Sequence, residues 1–458
     1  MKINETLTAA DLAAKVKRVF EAAGPKIQDL AVNYPREMGT PVFTEAGRYT
    51  ARGWTEWTQG FQYGMAILQY DATGDESFLE IGRENTRKYM ASHVTHMGVH
   101  DHGFNNVSTY GNLWRLMNEG RIPEDAGSRD FYEMALKCTG AVQARRWSPT
   151  AEGGGYIYSF NGPHSLFCDT MRTLRALSVS HKLGHALCEE QDEVVSLLGR
   201  MIQHAEANAK YAIWYGEGRD SYDVRGRTAH ESVFNVNNGV YRCPNSQQGY
   251  SPFTTWTRGQ AWCVVGYPEQ LEYLATVADS ELEPYGGRAA VETMMLKAAR
   301  AVCDYWIEDS PLDGIPYWDT GAPNLHKLGD FRSVVADPYN DHEPVDSSAA
   351  AIAAQGFLRL GRYLQGRGDA AGGARYWQAG LTLLDALFQE PYLSVDPAHQ
   401  GLILHSVYHR PNGWDYVPAG RQVPCGESSM WGDYHALEVA LYLQRVIDGK
   451  PYYAFFGE

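Results

Sequence analysis

Four histidines and one aspartate fall within ten positions of the stretch "HVTHMGVHDHGFNN", residues 93–106. His93, His96, His100 and His102 are imidazoles that zinc could take. Their HxxH spacing comes without a cysteine or a second carboxylate cluster, and His93, His96 and His100 also read as one face at the end of a helix. The other chemistry in the stretch is the carboxylate of Asp101, in "HDHGF", where a glycine follows and the chain must turn. A second carboxylate, Asp169, lies in "LFCDTMRTL", near a helix start among apolar neighbours. Apolar surroundings raise a carboxyl pKa, and a second carboxylate nearby raises it further. That combination predicts a general acid that keeps its proton near neutral pH. On residue type alone Asp169 reads equally as a helix cap and Asp101 as a turn residue. Cys168, beside Asp169, reads as a small buried filler. Other chemistries lack their motifs. No Walker loop is present, "CGESSM" lacks the G-x-S-x-G elbow, and no GxGxxG follows a strand.

Helical periodicity recurs along the chain and must position these groups. It predicts helices over about 9–22, 58–72, 76–92, 108–119, 128–144, 164–182, 190–212, 256–277, 288–307, 346–364, 371–388 and 432–447. Gly184 is a natural stop for the helix after Asp169. Twelve helices without a convincing sheet predict an all-α fold, an (α/α)6 barrel of six helical hairpins. An open α-solenoid is the alternative, and the long irregular stretches 145–163, 213–255, 310–345 and 389–431 count against it. Their Trp and Tyr residues argue for ordered loops that shape a cleft. "RGWTEWTQGF", "IPYWD", "NGWDYV" and "SSMWGDY" put aromatic rings at loop–helix junctions. Flat rings there suit the flat C–H faces of sugars.

The 458 residues are 44% hydrophobic and 21% charged, ordinary for a globular protein. Without a linker rich in Pro, Ser or charge, one domain over 1–458 is expected. The net charge of −15 comes without a basic stripe, which argues against nucleic acid. An anionic ligand would therefore need a locally positive pocket. No signal-type core opens the chain and no run reaches about 18 apolar residues, so no membrane partner is expected. Seven cysteines without a CxxC predict reduced thiols in a cytoplasm. The oligomeric state is open.

At "QQGYSPFTTWTRGQAW" (247–262) the chain resembles family 88 of the glycoside hydrolases, the unsaturated glucuronyl hydrolases. The resemblance continues in order through "WTQGFQYGM" (57–65), "HDHGF" (100–104), "CDTM" (168–171), "PYWD" (316–319), "DSSAAAI" (346–352), "LHSVYH" (404–409) and "WGDYHALE" (431–438). It implies an (α/α)6 barrel acting on oligosaccharides left by polysaccharide lyases, which carry a 4,5-unsaturated uronic acid at the non-reducing end. It further implies hydration of the C4=C5 bond. This vinyl ether accepts a proton at C4, water attacks C5, and the hemiketal opens and expels the glycan. One carboxyl can serve as acid and then as base.

By the same resemblance Asp169 matches the acid/base and Asp101 the second essential aspartate. Trp57 would form an aromatic wall. His230 and Gln248 would hydrogen-bond the sugar or its water. Arg258 would meet an anionic group, because its fork matches a carboxylate; otherwise it is a structural ion pair. Trp262 would stack or pack, and Gln260 would support the loop. His100 and His102 would orient Asp101 or face the anionic substrate. No metal or cofactor is implied, since proton transfer from a carboxyl suffices.

The chain also departs from the family pattern. Phe160, in "YIYSFN", stands where a Trp is expected, and Arg172–Thr173 replace a more usual Asn–Leu. Three rival readings follow. An unsaturated rhamnogalacturonyl hydrolase of family 105 would share the barrel and the hydration chemistry. A conventional inverting glycosidase would need carboxyls about 6.5–9.5 Å apart. A non-catalytic sugar-binding protein would not need both Asp101 and Asp169.

Overall fold

The computed structural model describes residues 1–53 and 56–456. Trp54 and Thr55, inside the aromatic stretch "RGWTEWTQGF", lie outside the described residues.

Among the described residues twelve helical segments carry the fold. They are α1 (Ala13–Asn33), α2 (Gln59–Thr73), α3 (Glu76–Tyr89), a broken α4, α5 (Ala126–Arg145), a two-piece α6 (Thr170–Thr173 and Arg175–Lys182), α7 (Leu197–Tyr211), α8 (Thr257–Leu274), α9 (Gly287–Asp309), α10 (Ser347–Gly366), α11 (Ala370–Leu387) and α12 (Met430–Ile447). The broken α4 runs from His102–Asn105 through a π-helical turn, Val107–Gly111, into Asn112–Asn118. Even-numbered helices touch one another in sequence, and α12 returns to α2, which closes an inner ring. Odd-numbered helices lie outside it. The division follows from composition. Every residue of α8 is buried, whereas α3 buries only Phe78, Leu79, Gly82 and Thr86. A helix buried all round belongs inside a ring, where polar side chains such as Arg258 and Glu269 are paired, and an amphipathic one covers it. This is the (α/α)6 barrel expected from the sequence.

Helix ends follow their caps. Asp75 accepts the Ser77 N–H at the start of α3, Asp346 the Ser348 N–H at α10, and Ser429 the Gly432 N–H at α12. Gly74 ends α2 in the left-handed region, at φ 74°.

Three expectations are corrected. The helix predicted over 9–22 instead runs from Ala13 to Asn33, through Pro25, because Ile27 and Leu30 continue its buried face. The helix predicted over 164–182 begins only after Asp169, since Ser165–Phe167 pairs as a strand. The one predicted over 190–212 starts at Leu197. Short antiparallel sheets, not foreseen, order the long loops. β1 (Thr40–Glu45) pairs with β2 (Arg48–Arg52), and β3 (Trp147–Pro149) with β4 (Gly155–Ile157). β5 (Ser165–Phe167), β8 (Glu231–Phe234) and β9 (Tyr241–Asn245) form a three-stranded sheet, and β6 (Leu187–Cys188) pairs with β7 (Val194–Val195). Strands this short have no periodicity to read.

Inner helices approach closely where glycine sits. A Cβ on Gly103 of α4 would meet the Thr173 Cα of α6 at 2.6 Å, so only glycine permits that crossing. The ring centre is ionic. Arg172 of α6 lies 2.6 Å from Glu438 of α12 and 2.6 Å from Glu269 of α8, and Arg175 reaches Glu438 at 3.1 Å. Gln355 of α10 donates to Glu438 at 3.0 Å. Arg172, one of the departures noted above, thus binds three inner helices together rather than facing a ligand, and Gln355 ties α10 to the same carboxylate. Among the described residues no helix is long and apolar enough to cross a membrane.

Candidate active site

The N-terminal ends of the inner helices converge on a cleft of about 1080 Å³. Trp57 precedes α2, Asp101 begins α4, Asp169 begins α6, and Arg258 and Trp262 lie in the first turns of α8. All five line the cleft, with His100, Phe160 and Gln248. Helix N-termini carry positive partial charge, which meets the need for a locally positive pocket in an acidic protein.

Neither aspartate is used up as a cap. Asp101 and Asp169 both occupy cap positions, yet neither side chain accepts a capping hydrogen bond. Their common neighbour is His100, whose Nε2 lies 3.2 Å from Asp169 Oδ1 and 3.8 Å from Asp101 Oδ1. The imidazole is 2% exposed, and its main chain is fixed from α5 and α6. Thr173 Oγ1 donates to the His100 carbonyl at 2.8 Å and Gln143 Nε2 does so at 3.0 Å. Thr173, the second departure, is therefore a support for His100.

The charges differ from the expectation. Burial raises the Asp101 carboxyl above its ordinary range; His100 opposes this and the Asp169 charge adds to it. Burial also pushes Asp169 up, but the hydrogen bond and charge of His100, with His230 and Arg258, hold it below the usual range. The expected raised Asp169 is thus corrected for the unliganded site, because an imidazole sits against it. His100 itself is raised: burial disfavours its charge, but Asp101 and Asp169 outweigh burial.

His230 stands behind Asp169, 2% exposed and outside the cleft lining, with Nε2 4.0 Å from Asp169 Oδ2. Its Nδ1 accepts the N–H groups of Gln247 and Gln248 at 3.0 and 3.2 Å, so the ring proton sits on Nε2. Pairing of Phe167 with Glu231 in the β5–β8 ladder brings it there, and the Cys168 N–H donates to the His230 carbonyl at 2.9 Å.

Arg258 is corrected. Its guanidinium is 1% exposed and donates to Asp346 at 3.2 Å, Gln248 Oε1 at 3.0 Å, the Tyr408 carbonyl at 2.7 Å and the Val407 carbonyl. The fork is engaged by protein groups, as in the structural ion pair, and it holds Gln248 in place. His102 is also corrected: it turns away from the cleft, with Nδ1 2.6 Å from Thr139 Oγ1 and Nε2 3.0 Å from the His96 carbonyl. Gln260 donates to Val302 of α9 rather than to a loop. His93 bonds Gln59 at 2.8 Å. The imidazoles of His93, His100 and His102 thus go to separate partners, and among the described residues no group of three or more His, Cys, Asp or Glu side chains is placed to hold a metal ion.

Trp57 stacks on Trp431 at 5.0 Å and leans on Phe104 at 5.5 Å; Trp262, 2% exposed, packs on Phe104 at 4.7 Å. Phe160 lies parallel to His100 at 6.2 Å and offers no indole N–H. Lining residues not foreseen individually are Glu56, Val99, Phe104, Trp256, Tyr408 and Trp414. Of these, Trp414 carried a signal in the aromatic stretch "NGWDYV" and Glu56 in "RGWTEWTQGF"; Val99 carried none. A second cavity, of about 720 Å³, opens between α1, α2 and α3; its described lining, including Tyr34, Tyr63, Tyr89 and Arg36, holds no carboxylate.

No family model matches the chain. The unsaturated glucuronyl hydrolase of Bacillus sp. strain GL1 is 24% identical to it over 423 residues, covering 89% of this chain and 91% of that protein. The unsaturated chondroitin disaccharide hydrolase of Streptococcus pyogenes is 24% identical over 92% of this chain and 88% of its own length. The crystal structure of the unsaturated glucuronyl hydrolase from Streptococcus agalactiae superposes with a TM-score of 0.70 at 21% identity, covering 99% of this chain and 95% of that one.

Proposed function

We propose that this chain, a homologue of the unsaturated glucuronyl hydrolases and a glycoside hydrolase, removes a 4,5-unsaturated glucuronic acid from the non-reducing end of an oligosaccharide by hydrating its C4=C5 bond. The observation that carries this reading is the pair of uncapped carboxylates, Asp101 and Asp169, flanking one buried imidazole in an aromatic-walled cleft.

In the resting site the two carboxylates draw the His100 pKa up and His100 holds that of Asp169 down, which favours an imidazolium beside a carboxylate. A bound uronate brings a further negative charge, which raises the proton affinity of Asp169. The proton then passes from His100 Nε2 across 3.2 Å to Asp169 Oδ1. Asp169 delivers it to C4, and positive charge develops at C5, shared with the ring oxygen. The regenerated carboxylate takes a proton from the water that attacks C5. The resulting hemiketal opens and releases the remaining glycan. Asp101, its carboxyl raised by burial, borders the uronate and tunes His100 through its own charge. Trp57 and Trp262 wall the reacting ring. We further propose a cytoplasmic location, which exposed free thiols such as Cys188 and Cys243 support.

The test is ultraviolet absorbance of lyase-generated unsaturated disaccharides, since hydration destroys the conjugated double bond. Wild-type protein is expected to remove the absorbance, and Asp169→Asn to slow that loss by about 10²–10⁴-fold or more. Cleavage of saturated glucuronides with the double-bond substrates untouched would favour an inverting glycosidase instead.

A further inference from the structure

The cavity between α1, α2 and α3 shares no lining residue with the catalytic cleft. Its volume of about 720 Å³ is ordinary for a small-molecule pocket. Its floor is apolar. Ile27 and Leu30 of α1 and Met65 of α2 are nearly fully buried there, and Ile81 of α3 joins them. Its polar side is formed by Arg36, Gln59, Gln62 and Tyr63.

Donors outnumber acceptors on that side. Tyr63 is 5% exposed, and its hydroxyl oxygen accepts from Arg36 Nη1 at 2.6 Å and from Gln59 Nε2 at 3.2 Å. Both lone pairs are thereby used, and the hydroxyl proton has no acceptor among the described residues. Gln59 does not supply one, because it turns its Oε1 to His93 Nε2 at 2.8 Å. Arg36 stands exposed beside Tyr63, its guanidinium 3.1 Å over the Tyr89 ring. The chain carries 55 acidic residues against 40 basic ones, yet Arg36 forms no ion pair among the described residues, and no carboxylate lines the cavity. An arginine stacked on a tyrosine is often packing alone. Here a second, buried donor stands beside it, and the hollow that both line offers no negative charge to either.

We infer that this cavity is a binding site for a small monocarboxylate with a compact apolar body. One carboxylate oxygen takes the Tyr63 proton and the other takes N–H groups of Arg36. Such charge-assisted hydrogen bonds are strong, and a planar guanidinium suits a planar carboxylate. The apolar body leaves water for the floor of Ile27, Leu30, Met65 and Ile81. Arg36 is the one cationic side chain of the described lining apart from any histidine, and the lining holds no histidine, so it matches a single negative charge. A uronic acid, polar at nearly every carbon, would leave hydroxyls unbonded on that floor. The ligand is therefore of a different class from the proposed substrate, and the inference does not depend on the hydration reading.

The test uses benzoate as the probe. Benzamide has its shape without the charge, and acetate has its charge without the ring. Each is titrated into the full chain and followed by calorimetry. Benzoate is expected to bind with a Kd of about 1 mM or below, and the other two at least about ten-fold more weakly. Arg36→Gln is expected to weaken benzoate about ten-fold or more, with the melting temperature and the turnover of unsaturated disaccharides unchanged. Tyr63→Phe is expected to weaken benzoate as well. Arg36 is exposed, so its replacement keeps the test sound should the buried Tyr63 variant fail to fold. Absence of saturable benzoate binding overturns the inference. Benzamide binding as tightly as benzoate overturns the anionic part, and acetate binding as tightly overturns the apolar part. Benzoate that binds Arg36→Gln as tightly as wild type and competes with an unsaturated disaccharide sits in the catalytic cleft, which also overturns the inference. Loss of the hydration activity in the absorbance assay bears on the proposed function alone.

Discussion

His100 is the residue on which the site's electrostatics turn. It lies between two carboxylates, and its pKa is raised above the ordinary histidine value of 6.5. The linkage sign follows: its stabilising charge is fully present below pH 6.5 and is lost as pH rises through the folded-state value. The same proton is the one the proposed reaction delivers. The profile of kcat/KM, which reports the free enzyme, is therefore expected to fall on its alkaline side above pH 6.5. His100→Asn is expected to abolish that limb and to lower kcat/KM about 10²-fold or more. An unchanged alkaline limb in the variant would assign the proton elsewhere. Arg258 gives a second residue-scale prediction. Removing its guanidinium leaves Asp346 buried and unpaired, so Arg258→Met is expected to destabilise the fold by about 3–5 kcal/mol, read by denaturant titration. Intact stability with only a raised KM would instead make Arg258 a substrate contact.

At the scale of elements, the site depends on two helix starts held against each other. His100 and Asp101 belong to the beginning of α4 and Asp169 to the beginning of α6, and Gly103 lets those backbones touch Thr173. A methyl at Gly103 has backbone on its far side, which cannot swing away as a side chain can. Gly103→Ala is expected to part the two helices and lengthen the 3.2 Å contact between His100 and Asp169. A misplacement of about 1 Å can cost about 10²-fold in turnover, so kcat should fall by that order while far-ultraviolet dichroism stays helical. Wild-type kcat in that variant would show that the crossing tolerates a side chain. Little of this was legible beforehand. The "HDHGF" glycine marked a turn, but its partner lies seventy positions away at Thr173, and no local pattern reports such a contact. The strand before Asp169 was read as helix for a similar reason. Ser165–Phe167 is a strand only because Glu231–Val233 lies beside it.

At the scale of the whole molecule, the closed ring surrounds buried charge. Glu438 accepts from Arg172, Arg175 and Gln355, and the two arginines hold its carboxyl far below the usual range. After the burial cost, this pairing contributes stability that is present above the unfolded carboxylate range and is lost as pH falls toward the folded value. Glu438→Gln leaves two arginines short of a counter-charge, and a loss of about 3–5 kcal/mol is expected. Unfolding midpoints measured from neutral to acidic pH check this, because the gap between wild type and variant should shrink as pH falls. A gap independent of pH would mean that packing, and not charge, is what the substitution removed.

The sequence by itself determined the helix count, the barrel and the short motifs that hold the site residues. Periodicity of 3.6 and an order of motifs are properties of one dimension. It also brought forward Asp101, Asp169, His100, Trp57, Gln248 and Trp262, through the resemblance of their motifs to a known family, since residue type alone left Asp169 a helix cap and Asp101 a turn residue. Tertiary structure alone decided what each group does with its hydrogen bonds. Arg258 looked free and is engaged; Asp169 looked apolar in setting and sits against an imidazole; His102 looked like part of the site and faces Thr139. The physical reason is common to all three. Charge state and availability depend on partners within about 4 Å, and in a ring of six hairpins those partners come from elsewhere in the chain, across distances that no local pattern encodes.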